Sequence, residues 1–152
     1  MGRKSILLDQ LNQKMTFLKP LADISSPLEG WIRCTRTSLG IGLRQLGARL
    51  SVSKQGVRDM EIREAEGGIT IRSLREAGRA MNMQLVYGFV PEDGTLDALI
   101  ERRALELAQK IVGRTSTTMA LEGQSNSADR IGKAIRERAD ELKREMPAIL
   151  WD

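Results

Sequence analysis

Three polar side chains near the start of a short predicted helix have the chemistry to bind nucleic acid. Lys54, Gln55 and Arg58 lie on its first turns, away from its apolar residues. Lysine and arginine neutralise phosphates, and arginine and glutamine hydrogen-bond to the edges of guanine and adenine in the major groove. The other candidates are Arg44, Gln45 and Ser53. The pattern predicts that these six residues form a DNA-binding surface.

Residues 43–61 predict the two helices that position this surface. Their apolar positions at helical spacing are Leu43, Leu46 and Leu50 in the first helix and Val57 and Met60 in the second. Ser51-Val52-Ser53 separates the helices, and Ser53 is predicted to cap the second by accepting a backbone N–H. The stretch resembles the helix-turn-helix of the phage-repressor (XRE-type) family, although Gly47 weakens the first helix and Ser51 replaces a glycine common in the turn. The resemblance implies a DNA-binding regulator.

Basic residues are concentrated in the segment that holds these helices. The 152-residue chain has a net charge of +4. Residues 31–82 carry ten basic and five acidic side chains, a surplus of +5, whereas residues 1–30 carry four and three and residues 83–152 carry ten and twelve. Such a surplus suits the neutralisation of phosphates, and an ordinary solvated surface is the alternative explanation.

The residue types that are missing argue against several classes of protein. There is no histidine, and no Asp/Glu cluster has the spacing of metal ligands, so we expect no enzyme, no metal site and no cofactor. Cys34 is the only cysteine and is predicted to be a small buried side chain, with no disulfide. No apolar run approaches the roughly 18 residues of a membrane span, and no secretory signal is evident. The expectation is a cytoplasmic protein that does not contact a membrane.

Residues 84–90 have the alternation of a β-strand. Leu85, Tyr87 and Phe89 share one face, and Pro91 ends the segment. A single strand leaves unpaired backbone groups on both edges. We therefore predict that it pairs with its own copy in a homodimer, with these three residues at the interface. Pairing within the chain is the alternative, although no second strand is evident.

The remaining apolar patterns are helical. The predicted helices cover residues 5–21, with Leu8, Leu11, Met15 and Leu18 on one stripe, then 28–39, with Trp31, Ile32 and Thr35 buried, then 70–81, 96–121 and 128–146. The predicted fold is mainly α: a phage-repressor-like helix-turn-helix domain with one short β-strand and helical extensions at both ends. The segments are an N-terminal amphipathic helix (1–27), the DNA-binding domain (28–82), the dimerisation strand (83–92), a helix ending in a motif (93–123), and a C-terminal helix and tail (124–152).

That motif is Thr118-Met119-Ala120-Leu121-Glu122-Gly123. It has the pattern [S/T]-x-x-x-E-[G/N] of the inhibitory helix associated with Fic-domain AMP transferases. In that family the glutamate pairs with an arginine of the Fic active site, which keeps the γ-phosphate of ATP from seating productively. Residues 25–30 match the pattern as well, but Pro27 disfavours a continuous helix there. The alternative interpretation of Glu122 is a solvated residue at a frayed helix end.

Several short motifs in order extend the resemblance over most of the chain. They are Gly30-Trp31-Ile32-Arg33, Leu43-Arg44-Gln45-Leu46, Glu64-Ala65-Glu66-Gly67, Leu85-Val86-Tyr87, the Thr118 motif with Gln124, and Leu150-Trp151-Asp152. Together they resemble the family called mobile mystery protein A, whose operon partner is a Fic-domain protein. The resemblance implies an antitoxin that inhibits a Fic toxin through Thr118, Glu122 and Gly123 and binds double-stranded operator DNA.

Two other functions remain open. One is a stand-alone dimeric helix-turn-helix repressor, which predicts a chain that is folded throughout without a partner. The antitoxin hypothesis predicts instead that residues 113–152 are mobile until the toxin binds. The other is an interaction scaffold with a vestigial helix-turn-helix, which would lack salt-dependent DNA affinity.

Overall fold

The protein is mainly α-helical, which confirms the predicted class. The structure, a computed structural model, describes residues 2–121 and 128–152. The helices are α1 (Arg3–Leu18), α2 (Trp31–Ser38), α3 (Leu43–Leu50), α4 (Lys54–Glu66), α5 (Ile71–Ala80), α6 (Leu96–Leu121) and α7 (Ala128–Glu145), with 3₁₀ turns at Lys19–Asp23 and Ala148–Trp151. The chain divides into two compact units: Pro20–Gly88, and the residues up to Lys19 together with Phe89–Asp152.

The core of the Pro20–Gly88 unit is a small aliphatic cluster. Its buried members are Ile32, Leu46, Val57, Met60, Ala77 and Met81. Side-chain caps begin two of the helices: Ser53 Oγ accepts the Gly56 N–H at 3.0 Å, and Thr70 Oγ1 accepts the Ser73 N–H at 3.1 Å. The predicted cap at Ser53 is therefore present, and a cap of this kind contributes about 1 kcal/mol.

A buried ion pair joins α2 to α4. Arg36 Nη2 lies 2.8 Å from Glu61 Oε1, Arg36 Nε donates to both carboxylate oxygens at 3.2 Å, and Nη1 donates to the Ile41 carbonyl at 3.1 Å. The two side chains are only 11% and 7% exposed. Because both charges are largely out of water, each depends on the other for its solvation. The pair fixes α4 relative to α2.

Glu64 of α4 caps the first turn of α2. Its two carboxylate oxygens accept the backbone N–H groups of Trp31 and Ile32, each at 2.8 Å. Gly30 precedes this turn at φ +87°, and a Cβ on it would lie 2.7 Å from Glu64 Oε1. Any side chain at position 30 would clash with the capping carboxylate, so this position requires glycine.

In the other unit, α6 and α7 pack against each other. The buried residues are Ile100, Ala104, Ala108, Ala139, Leu142 and Leu150. Three of them are alanines, which lets the helix backbones approach closely. Arg103 donates to the carbonyl oxygen of Leu150 from two nitrogens, at 3.0 and 2.8 Å, and so holds the last 3₁₀ turn against α6.

Two polar contacts organise the start of α6. Asn12 of α1 caps it, because Asn12 Oδ1 accepts the Leu96 N–H at 3.0 Å and Nδ2 donates to Asp97 at 3.1 Å. Arg102 donates to both carboxylate oxygens of Asp93, at 2.8 and 3.1 Å. This hydrogen bonding holds the pKa of the Asp93 carboxyl below its ordinary value. Its stabilising effect is complete above the ordinary carboxyl pKa and is lost as the pH falls through the lowered one.

Several sequence-based expectations were wrong in detail. Trp31 is 51% exposed rather than buried, since α2 begins there and turns Ile32 inward instead. Leu11 is 44% exposed, because the polar Asn12 occupies the face of α1 that contacts α6. Cys34 is only half-buried. Residues 84–90 form no strand with any other segment in the described ranges, so pairing within the chain gains no support.

Candidate functional site

The outer face of α4 carries the basic and amide side chains that the sequence singles out. Lys54, Gln55 and Arg58 are exposed, whereas Val57 and Met60 on the opposite side lie in the core. The first turn of α4 has no acidic residue. The core and the ion pair to α2 hold the inner face of α4. The position of the outer face is therefore fixed relative to the rest of the unit.

The six predicted DNA-binding residues are not equally free to bind a ligand. Ser53 Oγ is used by the cap, Gln45 Oε1 accepts the Gly42 N–H at 2.7 Å, and Gln55 Nε2 donates to Asp59 Oδ1 at 2.9 Å. Within the described parts of the chain, the side chains of Arg44, Lys54 and Arg58 make no hydrogen bond or ion pair. These three cations can therefore bind a ligand without breaking an intramolecular hydrogen bond or ion pair.

A close backbone approach sets the geometry between α3 and α4. Val52 N donates to the Gly47 carbonyl at 2.9 Å, and a Cβ on Gly47 would lie 2.6 Å from the Val52 carbonyl oxygen. Ser51 ends α3 in the left-handed conformation, with φ 57° and ψ 38°. A left-handed residue at this point favours glycine, so Ser51 stores strain in the turn.

Two residues that sequence reasoning did not single out lie beside this face. A groove of about 320 Å³ beside Arg58 is lined by Arg33 of α2 and by Ile62 of α4, and also by the acidic residues Glu29 and Glu61. Glu29 pairs with Arg33 at 3.5 Å. Ile62 is 48% exposed and lies one helical turn beyond Arg58, where an apolar side chain suits a thymine methyl group. The spacing of Arg58 and Ile62 could have indicated a shared face, but nothing local places Arg33 beside them.

Two of the three predicted dimerisation residues are largely exposed. Tyr87 is 61% and Phe89 84% exposed, and Leu85 is half-buried. Leu85 and Val86 line an apolar groove of about 470 Å³ in the Pro20–Gly88 unit, opposite residues that include Ile24 and Trp31.

The inhibitory motif is described only in part. Thr118 is exposed near the end of α6, and its Oγ1 donates to the Arg114 carbonyl at 3.0 Å, which is an ordinary contact within a helix. Glu122 and Gly123 lie outside the described residues. The helix on which the motif begins is continuous with the part of α6 that packs on α7.

The described residues hold neither a metal-binding cluster nor a membrane-spanning helix. In the described ranges no group of three or more acidic, cysteine or histidine side chains is placed to hold a metal ion. No helix among the described residues has both the length and the apolar character needed to cross a membrane. No family model, no curated protein and no solved structure matches this chain.

Proposed function

We propose that this chain is a DNA-binding antitoxin, with Pro20–Gly88 as the DNA-binding unit and residues 118–123 as the toxin-inhibitory element. The observation that carries the DNA-binding part is the face of α4, where Lys54 and Arg58 are exposed and free of internal partners. The opposite face is fixed by the core and by Glu61. A rigid short helix with such residues on its first turns suits reading of the major groove.

Arg58 is the first residue to test. We expect Arg58→Ala to weaken binding to a duplex from the region upstream of the gene by about 10-fold, in line with the 1–3 kcal/mol of a base contact. Fluorescence anisotropy over a series of salt concentrations measures the affinity and its salt dependence. Arg138→Ala is the control, because Arg138 is half-buried on α7 and already paired with Glu141 at 2.7 Å. Equal DNA affinity of the two variants would show that Arg58 is not part of the DNA-binding surface.

The toxin-inhibitory part is supported by the ordered motifs that resemble mobile mystery protein A and by the exposed position of Thr118 on α6. In this proposal, Glu122 enters the nucleotide cleft of a Fic-domain toxin. Its carboxylate pairs there with the arginine that would otherwise bind the γ-phosphate of ATP. The packing on α7 fixes the part of α6 that precedes Thr118.

Glu122→Gly tests this mechanism in complex with a Fic-domain toxin, which the proposal expects to be encoded in the same operon. We expect the complex to remain intact while AMP transfer is restored, because only the competing carboxylate is removed. The chain supplies a matched control in Glu29→Gly, which makes the same change in the second match to the motif pattern. AMP transfer that stays blocked with Glu122→Gly would contradict the mechanism, and so would equal release by both variants.

A further inference from the structure

The backbone of residues 84–90 is unpaired over its whole length. Within the described ranges, none of these seven residues gives or accepts a backbone hydrogen bond. Both neighbours are occupied: Met83 N donates to the Gly78 carbonyl at 2.8 Å, and the Pro91 carbonyl accepts the Gly94 N–H at 3.0 Å. Seven consecutive open donors and acceptors are a template for strand pairing.

The side chains of this segment suit a partner of the same kind. No residue from Met83 to Pro91 is charged, so two copies can approach without like-charge repulsion. Natural sheet edges are usually protected by charged residues or a proline, and this edge has neither between its ends. Val86, Tyr87 and Phe89 are 63%, 61% and 84% exposed, although all three are apolar or aromatic.

We infer that residues 84–90 pair antiparallel with the same residues of a second copy, with Tyr87 on the two-fold axis. The register follows from the limits of the open backbone, because the stretch 84–90 is symmetric about residue 87. Only this register places each of the seven residues opposite a residue of the same stretch, and a shift in either direction leaves residues at both ends without an opposite residue. The inference concerns self-association and holds whether or not the proposed DNA binding is correct.

In this register apolar side chains lie opposite one another. Tyr87 is opposite Tyr87 of the second copy, and Leu85 is opposite Phe89 of the second copy. Leu85 lines the apolar groove of about 470 Å³, so the second copy brings an aromatic ring to the edge of a groove that is open in the single chain. Leu85, Tyr87 and Phe89 of both strands then share one face of the two-stranded ribbon.

Cysteine cross-linking tests the register. In a Cys34→Ser background, Tyr87→Cys places two thiols directly opposite each other, within the range of a disulfide. Val86→Cys and Gly88→Cys each place them at diagonal positions, where disulfide formation is expected to be about tenfold slower. If Gly88→Cys or Val86→Cys cross-links fastest, the register is wrong. Equal rates for all three would overturn the pairing.

The mass of the chain in solution tests the interface independently. We expect twice the chain mass of 16.9 kDa for the native protein and a return to 16.9 kDa for Phe89→Asp. Phe17→Asp is the matched control, since Phe17 is also 84% exposed and is expected to leave the mass unchanged. Circular dichroism confirms that both variants keep their helices. A native protein of 16.9 kDa at all concentrations would overturn the inference without affecting the DNA-binding proposal.

Discussion

Replacing Glu61 with alanine is expected to lower the free energy of unfolding of the Pro20–Gly88 unit by about 3–5 kcal/mol. The substitution leaves the Arg36 guanidinium, 11% exposed, without the carboxylate that solvates it. Only the hydrogen bond to the Ile41 carbonyl remains. An unpaired buried cation is far more costly than the loss of an exposed contact, so a large effect is expected from one side chain.

Urea unfolding followed by tryptophan fluorescence measures this effect. The chain has two tryptophans, and Trp151→Phe leaves Trp31 as the reporter of the Pro20–Gly88 unit. Glu106 supplies the control, because Glu106→Ala removes a carboxylate whose side chain is 45% exposed and which pairs with Arg102 and Arg103. That variant, in a Trp31→Phe background that keeps Trp151 as the reporter, should cost no more than about 1 kcal/mol. The double variant Arg36→Met/Glu61→Leu should recover most of the loss. A cost below about 1 kcal/mol for Glu61→Ala would contradict the prediction, because it would show that Arg36 does not depend on the Glu61 carboxylate for its stabilisation.

Local chemistry predicted much of the helical framework. Helical spacing of Leu46, Val57 and Met60 identified residues that are buried in the core, and a serine before a polar first turn predicted the cap at Ser53. Such features depend on residues within one or two helical turns, so a single sequence contains them. The free cations at Lys54 and Arg58 follow from the same local pattern.

Contacts between distant segments were beyond local reasoning. The sequence identified Glu64 as part of a motif but gave no reason for it, and the structure places its carboxylate on the first turn of α2, 32 and 33 residues away. Arg36 and Glu61 are 25 residues apart. A charged residue on a helix is by default assigned to solvent, and only the packing of a second helix turns it inward.

The packing of α7 also changes how the two main hypotheses can be separated. The antitoxin hypothesis predicted that residues 113–152 are mobile without the toxin. Ala139, Leu142 and Leu150 are buried against α6 in the single chain, so residues 128–152 have a folded position of their own. Proteolysis of this region is therefore expected to give the same result for an antitoxin and for a stand-alone repressor. Glu122→Gly in the toxin complex distinguishes them instead.

Gly47→Ala is expected to destabilise the Pro20–Gly88 unit by about 2 kcal/mol, although the same change in most helices is stabilising. The added Cβ would lie 2.6 Å from the Val52 carbonyl oxygen and 3.4 Å from Val57 Cγ2. Neither atom is free to move. The backbone of Val52 is held because its N–H donates a hydrogen bond to the Gly47 carbonyl, and Val57 is fully buried. The turn would have to open, and α4 would move with it.

Gly113→Ala is the matched control for this prediction. Gly113 lies inside α6 and is exposed, and a Cβ on it would have no neighbour within 4 Å. Alanine there is expected to stabilise its unit by about 1 kcal/mol, so the same substitution has opposite signs at the two sites. Unfolding followed through Trp31 and Trp151 separately gives both values. If Gly47→Ala also raises the free energy of unfolding, the close approach of residue 47 to the Val52 carbonyl is not needed for stability. If it destabilises, the glycine that weakens α3 as a helix is what allows the turn to form, and operator affinity should fall with it.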